Sequence, residues 1–147
     1  MNHQLTVSMA NEGLEYGDRT HTYNSRFAQE LAVWGDEIGV TDALHDALFH
    51  AYFVDSRNLA ETDVLVDLAR SVALDPNEAR RVIEDRRYRS AVDAQWDRAS
   101  SVGVTSVPTF IAEGFGVVGA QPYEVLEGLM SRAGSHKRGP QPQVPEP

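Results

Sequence analysis

Apolar side chains recur every three or four residues through most of the first hundred positions, which is the spacing of one face of an α-helix. This pattern predicts five amphipathic helices in that part of the chain. Their approximate ranges are 25–38, 41–56, 63–72, 76–85 and 88–101. The first four are each expected to begin beside a capping residue, because short polar side chains satisfy the free N–H groups of a helix start. These residues are Asn24, Thr41, Thr62 and Asp75.

The period of the pattern changes after Gly103. Two short apolar runs, 107–112 and 115–119, are joined by Glu113-Gly114. This arrangement predicts a β-hairpin, because glycine readily takes the positive φ that a tight turn requires.

A last helix is expected to follow the hairpin. Gln121-Pro122 marks its start, because proline is favoured at the first helical position, and its apolar face continues to about Arg132. The stretch beyond Gly134 is polar and contains four prolines, so it is predicted to be a disordered tail. The overall order is therefore helices first and a hairpin late.

An isolated two-stranded hairpin is only marginally stable, and an unpaired apolar strand is a template for association. Val107-Pro108 stands at the entrance of the first strand, where the missing N–H of proline does least harm to the ladder. The bond between these two residues is either trans, as most such bonds are, or cis. A cis bond would turn the backbone groups of Val107 outward, where an extended peptide could pair with them.

Composition and charge narrow the classes of function. The chain has 147 residues, which suits one globular domain of ordinary size, and its formal net charge of -9 argues against nucleic acid as a partner. No apolar stretch approaches the length needed to cross a bilayer, and the start lacks the pattern of a signal peptide, so a cytoplasmic location is expected. The chain contains no cysteine, which excludes disulfides and thiolate chemistry by its own residues.

The sequence contains other candidate functional residues, but their patterns indicate a site less strongly. His45, Asp46 and His50 lie on one predicted helix, yet their spacing fixes no third metal ligand, so surface ion pairing is the preferred interpretation and no metal is expected. A cluster of arginines is interleaved with acids and is interpreted as a solvated charged face. The cluster consists of Arg80, Arg81, Arg86, Arg87 and Arg89.

Four aromatic residues are predicted to lie in the core of the helical part. They are Trp34, Tyr52, Phe53 and Trp96.

Several segments, in this order, resemble the FrnE-like branch of the DsbA thioredoxin family of thiol-disulfide oxidoreductases. They are Thr22-Tyr23-Asn24-Ser25-Arg26, Ala51-Tyr52-Phe53, the loop from Gly103 to Phe110, and Gly119-Ala120-Gln121-Pro122. The resemblance extends from about His3 to Ala133. It implies a truncated α/β thioredoxin-like fold, mostly helical insertion followed by a β-hairpin and a C-terminal helix. The implied division is a first segment of the insertion over 1–23, the insertion proper over 24–102, the thioredoxin part over 103–133 and the tail over 134–147.

In that family Val107-Pro108 would be the cis-proline loop, and Ser106, Val107 and Pro108 would bind the substrate. Members of the family begin with a strand, a helix opened by Cys-x-x-Cys, and a second strand, and the chain shows none of these. By analogy it starts inside the helical insertion, and the absent strand is the one that would pair with the strand at Val107. The related 2-hydroxychromene-2-carboxylate isomerases use a serine in the same segment, but Ser8 precedes no recognisable strand-helix unit.

Three hypotheses of function follow. The first is a DsbA-like oxidoreductase chain that lacks its redox cysteines, through a misplaced start or a real deletion, and is inactive by itself. The second is a non-enzymatic module that binds a peptide or a second copy through the strand edge at Val107–Ala112. The third is a half-protein that a chain bearing Cys-x-x-Cys completes in trans. The first is preferred. None of the three requires a cofactor.

Overall fold

A computed structural model describes residues 2–18 and 20–135 of the chain, with side chains described from residue 5 onwards. The described residues fall into two compact units, and each is treated by itself. The helical unit is Met1–Trp96, and the hairpin unit is Asp97–Pro147. The predicted tail lies, from residue 136 on, outside the described residues.

Among the described residues, six α-helices precede the hairpin. Their bounds are α1 Asn2–Asn11, α2 Arg26–Glu37, α3 Thr41–Phe53, α4 Thr62–Ser71, α5 Pro76–Glu84 and α6 Arg89–Ser101. Helices α2 to α6 lie where apolar periodicity predicted them, within a few residues at each end. Helix α1 was not predicted, because its few apolar side chains form no continuous stripe, and Leu5 and Val7 are exposed.

The core of the helical unit lies among α2, α3, α4 and α5. Each of these helices turns one apolar face inward, as the sequence pattern predicted, and the residues of that face are almost completely buried. Those with 1% or less of their surface exposed include Leu31, Leu44, Leu65, Val82 and Ile83. Burial of such faces is the main source of helical stability in a domain of this kind, because isolated helices of this length are marginal in water.

Only one of the predicted caps forms the full capping interaction. The Asp75 side chain accepts a hydrogen bond from the N–H of Asn77 at 2.8 Å, directly ahead of Pro76. Asn24 accepts a bond from the N–H of Arg26 at 2.9 Å, although Ser25 is the capping position. Thr41 and Thr62 are instead the first residues of their helices, and the capping positions before them make no side-chain bond.

The stretch between α1 and α2 contacts the end of α3. The N–H of Gly17 donates to the carbonyl of Phe53 at 2.8 Å. A Cβ at position 17 would lie 2.0 Å from the carbonyl oxygen of Val54, so the backbone can approach this closely only because residue 17 is glycine.

The hairpin unit contains β1 Thr109–Ala112, β2 Phe115–Val118 and α7 Tyr123–Arg132. The two strands are antiparallel, with Thr109 opposite Val118 and Ala112 opposite Phe115. Both turn residues, Glu113 and Gly114, have positive φ, which suits the twist of a tight hairpin and confirms the predicted turn.

Strand β1 begins at Thr109 and not at Val107, so the predicted strand was two residues too long at its start. The carbonyl of Pro108 accepts from the N–H of Gly119, but Val107 and Pro108 stand outside the ladder. Among the described residues the sheet has two strands, so the outer edge of β1 is unpaired. No helix in this described part of the chain is long and apolar enough to cross a lipid bilayer.

Candidate functional site

The segment Ser106–Pro108 forms an exposed loop that leads into β1. The Thr109 hydroxyl donates to the carbonyl of Ser106 at 2.6 Å, and the N–H of Gly119 donates to the carbonyl of Pro108 at 2.8 Å. These two bonds fix the loop on either side of Val107. The Val107–Pro108 peptide bond is cis. Ser106, Val107 and Pro108 are the three consecutive residues that the resemblance implied as a substrate site.

Val107 is the most exposed large apolar residue that the structure describes, at 89%. Neither its backbone N–H nor its carbonyl forms a hydrogen bond with another described residue. An extended peptide could therefore pair with the backbone at this point and continue along the free edge of β1, which is the β-augmentation mode of peptide recognition.

The two faces of the hairpin differ in their cover. Phe115 and Val117 face α7, and the Arg132 guanidinium lies 4.6 Å from the centre of the Phe115 ring. Ile111 and Val118 are on the opposite face, because side chains alternate along a strand. Val118 directly follows Val117, and Ile111 pairs with the residue between Phe115 and Val117. Ile111 and Val118 are 45% and 53% exposed. About half of the surface of these two side chains is therefore left exposed by the described residues.

The side chains around Val107 carry no charge. No side chain from Gly103 to Ala112 is ionisable. The polar side chains of the segment are the hydroxyls of Thr105, Ser106 and Thr109, and the segment supplies no base that could activate one of them as a nucleophile. Within the described residues no group of three metal-ligating side chains is gathered anywhere.

The histidines of α3 pair with acids other than those the sequence indicated. His45 Nε2 lies 3.6 Å from Asp36 Oδ1, and His50 Nδ1 lies 3.3 Å from Asp55 Oδ2. Asp46 contributes to neither pair. Each histidine thus lies near an acid outside α3, Asp36 of α2 or Asp55 of the following turn, in place of the pairing within α3 that the sequence indicated.

The arginine cluster divides into two kinds of residue. Four of its members pair with acids on the surface, as predicted: Arg80 with Asp63, Arg81 with Glu78, Arg87 with Glu78 and Arg89 with Asp93. Arg86 is different, and for it the interpretation as a solvated face was wrong. It lies 4.8 Å from the centre of the Phe27 ring and reaches a carboxylate in the interior of the helical unit.

That carboxylate belongs to Glu30 of α2, which is completely buried. Arg86 donates two hydrogen bonds to it, at 2.9 and 2.7 Å, and Arg26 donates a third at 3.0 Å. Arg26 also pairs with Asp93. The hydrogen bonds from Arg86 hold the pKa of Glu30 below its ordinary value, against the effect of burial, which raises it. Nothing in the sequence pattern marked Glu30, because a single acid at a core-facing position looks like a surface residue.

The predicted aromatic core is confirmed for Trp34, which is 6% exposed, and wrong for Trp96, which is 51% exposed. Trp96 lies under the Arg26 guanidinium at 4.7 Å, and its indole N–H donates to Gln29 at 2.7 Å. Tyr52 and Phe53 are partly buried and form the wall of a cavity that the sequence analysis missed. The alanines of α2 that face this wall were the feature of the sequence that could have indicated the cavity.

Comparison with known proteins places this geometry in a family. The chain matches the family model described as the DSBA-like thioredoxin domain over residues 1–131. The uncharacterized protein YwbO of Bacillus subtilis is 32% identical over 88 residues, which make up 57% of this chain and 42% of that protein. The chain thus matches less than half the length of this curated relative.

A solved structure supports the same family. The crystal structure of a probable DsbA oxidoreductase from Streptomyces coelicolor superimposes with a TM-score of 0.79 at 31% identity. The match covers 98% of this chain and 68% of that one. The thioredoxin-like fold class inferred from the sequence is confirmed, and this chain belongs to the DSBA-like thioredoxin domain family.

Proposed function

We propose that this chain is the peptide-facing part of a DsbA-type thiol-disulfide oxidoreductase of the FrnE-like branch, and that it performs no thiol chemistry by itself. One observation carries the proposal. A chain of this family exposes Val107, whose backbone groups form no hydrogen bond with another described residue, and contains no cysteine among its 147 residues.

Thiol-disulfide exchange begins when a thiolate attacks a disulfide sulfur, and a second thiol then resolves the mixed disulfide. Methionine is the only sulfur-bearing residue type in this chain, and a thioether cannot act as that nucleophile. Both thiols of an active enzyme therefore have to come from a segment outside these 147 residues.

The contribution of this chain to such an enzyme is substrate binding. In the proposed role, Ser106, Val107 and Pro108 form the cis-proline loop, and the free backbone groups of Val107 pair with an extended peptide. This pairing would hold a substrate cysteine at the end of β1 without any charged group, which agrees with the absence of ionisable side chains there. A cytoplasmic location remains a prediction.

The proposal predicts that the purified chain does not accelerate the reduction of insulin by dithiothreitol. The physical reason is the missing thiolate, so the turbidity curve should coincide with that of an inert protein such as serum albumin treated to block its thiol. A rate above this background would contradict the proposal. Addition of the part of the Streptomyces coelicolor protein that this chain does not cover tests completion in trans, in which the mixture would be active and each piece inactive.

A second candidate function is association through the strand edge. It is favoured by the half-exposed apolar side chains of Ile111 and Val118 on one face of the hairpin, beside the edge of β1 that no described residue pairs. An exposed apolar edge of this kind readily pairs with a second copy of itself.

For this second function, Ile111→Lys is expected to shift the chain from dimer to monomer in sedimentation velocity, because a charged side chain at the edge opposes strand pairing. Met130→Lys on α7 is the matched control, since Met130 is 46% exposed and Ile111 is 45% exposed. The control should leave the distribution unchanged. A monomeric wild type would rule the function out.

A further inference from the structure

An apolar cavity of about 320 Å3 lies in the helical unit between α2 and α3. One wall consists of small residues of α2, Ala28 and Ala32, which are four positions apart and therefore on the same face. The opposite wall consists of larger side chains of α3, with one leucine from the turn before α4. These larger residues are Leu48, Phe49, Tyr52, Phe53 and Leu59.

The aromatic rings of this wall are arranged in contact with one another. Phe49 and Phe53 stack with ring centres 6.1 Å apart, and Tyr52 meets Phe53 edge to face at 5.0 Å. Phe49 nevertheless remains 58% exposed, so its ring is open to a further partner. A flat ring that entered the cavity could stack on one of these rings or meet another edge to face, and both are arrangements that aromatic pairs prefer.

The polar residues at the rim offer little to a charged ligand. The Gln29 amide donates to the Ser25 hydroxyl at 3.0 Å and accepts from the indole of Trp96 at 2.7 Å. His45 and Tyr52 are the other lining residues with polar groups, and His45 Nε2 is buried 3.6 Å from Asp36 Oδ1 without a hydrogen bond to a described residue. No lysine, arginine, aspartate or glutamate lines the cavity. A carboxylate or phosphate placed there would therefore lose its hydration without gaining a counter-ion.

We propose that this cavity binds a neutral, flat aromatic molecule of two or three rings. Its volume supports that size, because an apolar cavity of about 150 Å3 holds benzene, and this one is roughly twice as large. A fatty acid is disfavoured by the missing cation, and a peptide by the unpaired backbone groups that it would bury. The inference is independent of the proposed function, since every lining residue belongs to the helical unit and none to the peptide loop.

The probe for this site is N-phenyl-1-naphthylamine, a neutral three-ring molecule whose fluorescence rises in apolar surroundings. Titration of the wild-type chain is expected to give saturable enhancement. Ala32→Phe fills the cavity and should weaken binding by about tenfold or more, the equivalent of about 1.4 kcal/mol. Ala94→Phe makes the same change on an exposed position of α6 and should leave the affinity within about twofold of wild type. Equal binding by wild type and Ala32→Phe would overturn the proposal, as would the absence of saturation.

A second measurement covers the case in which Ala32→Phe does not fold, which circular dichroism would reveal. Backbone amide shifts of the isotopically labelled wild-type chain are followed during titration with 2-naphthol, a neutral two-ring molecule. Shifts centred on α2 and α3 support the cavity, and shifts confined to β1 and β2 overturn it. Ile111→Lys should bind the first probe as tightly as wild type. A matching loss of affinity in that variant would place the probe on the hairpin and would also overturn the proposal.

Discussion

Replacement of Arg86 by methionine is expected to lower the free energy of unfolding of the helical unit by about 3 kcal/mol. Loss of one partner from a buried ion pair costs about 3–5 kcal/mol, because the other charge stays in the interior without compensation. We expect the lower end of that range. The Arg86 side chain is 35% exposed, so water can partly replace it, and Arg26 still donates one hydrogen bond to Glu30.

The neighbouring arginine provides the matched control. Arg87→Met removes the same charge one residue later, from a surface pair with Glu78, and is expected to change stability little, because exposed ion pairs contribute little. Urea unfolding of the three proteins measures the difference. If Arg86→Met and Arg87→Met unfold at the same urea concentration, the Glu30 pair does not stabilise the unit as argued here.

The effect of Arg86→Met should also depend on pH. In the wild type, the pKa of Glu30 is held below its ordinary value, so its contribution to stability is present above the unfolded value of about 4.3 and is lost as pH falls through the folded value. In the variant, the largest cause that lowers the pKa of Glu30 is removed, so this carboxylate takes up a proton at a higher pH than in the wild type. Protonation then relieves the buried charge. The stability difference between the two proteins should therefore be largest near pH 7 and shrink as the pH falls through the value of the variant.

Leu44→Ala is expected to lower the free energy of unfolding by about 2–5 kcal/mol, because Leu44 is completely buried where α2 and α3 meet and its removal leaves a cavity. Leu14→Ala is the control, since Leu14 is 56% exposed and the same truncation there creates no cavity. Thermal unfolding followed by circular dichroism compares the two variants. Equal stability of both variants would show that α2 and α3 do not pack as described.

The close contact between Leu44 and Gly35 sharpens this prediction. A Cβ at position 35 would lie 2.7 Å from a methyl carbon of Leu44, so Gly35→Ala in the wild type introduces a clash. In the Leu44→Ala background that space is free, and alanine is the better helix former by about 1 kcal/mol. The double variant should therefore be more stable than Leu44→Ala alone. A further loss of stability would contradict the contact.

The helical part could be predicted from the sequence because burial of one face imposes a 3.6-residue period that is visible without a structure. The hairpin could be predicted because its turn, Glu113-Gly114, needs positive φ. The first residue of β1 was harder to predict than the turn. Val107 and Thr109 are equally compatible with a strand by residue type, and only the ladder itself excludes Val107.

The features that the sequence did not predict are those that depend on contacts between distant residues. Glu30 and Arg86 are 56 positions apart, and neither residue type signals burial. Trp96 is apolar enough for a core, yet the guanidinium of Arg26 and the amide of Gln29 hold it at the surface. The three residues of the candidate loop were identified by resemblance, and the exposure of Val107 and its free backbone groups came from the structure alone.

The positions of the two tryptophans have a spectroscopic consequence. Trp34 is shielded inside the helical unit, whereas Trp96 is accessible to an aqueous quencher such as iodide. Both belong to the helical unit, and the hairpin unit contains no tryptophan. Intrinsic tryptophan emission therefore reports on the helical unit only, and its unfolding curve will coincide with one recorded by circular dichroism only if the two units melt cooperatively.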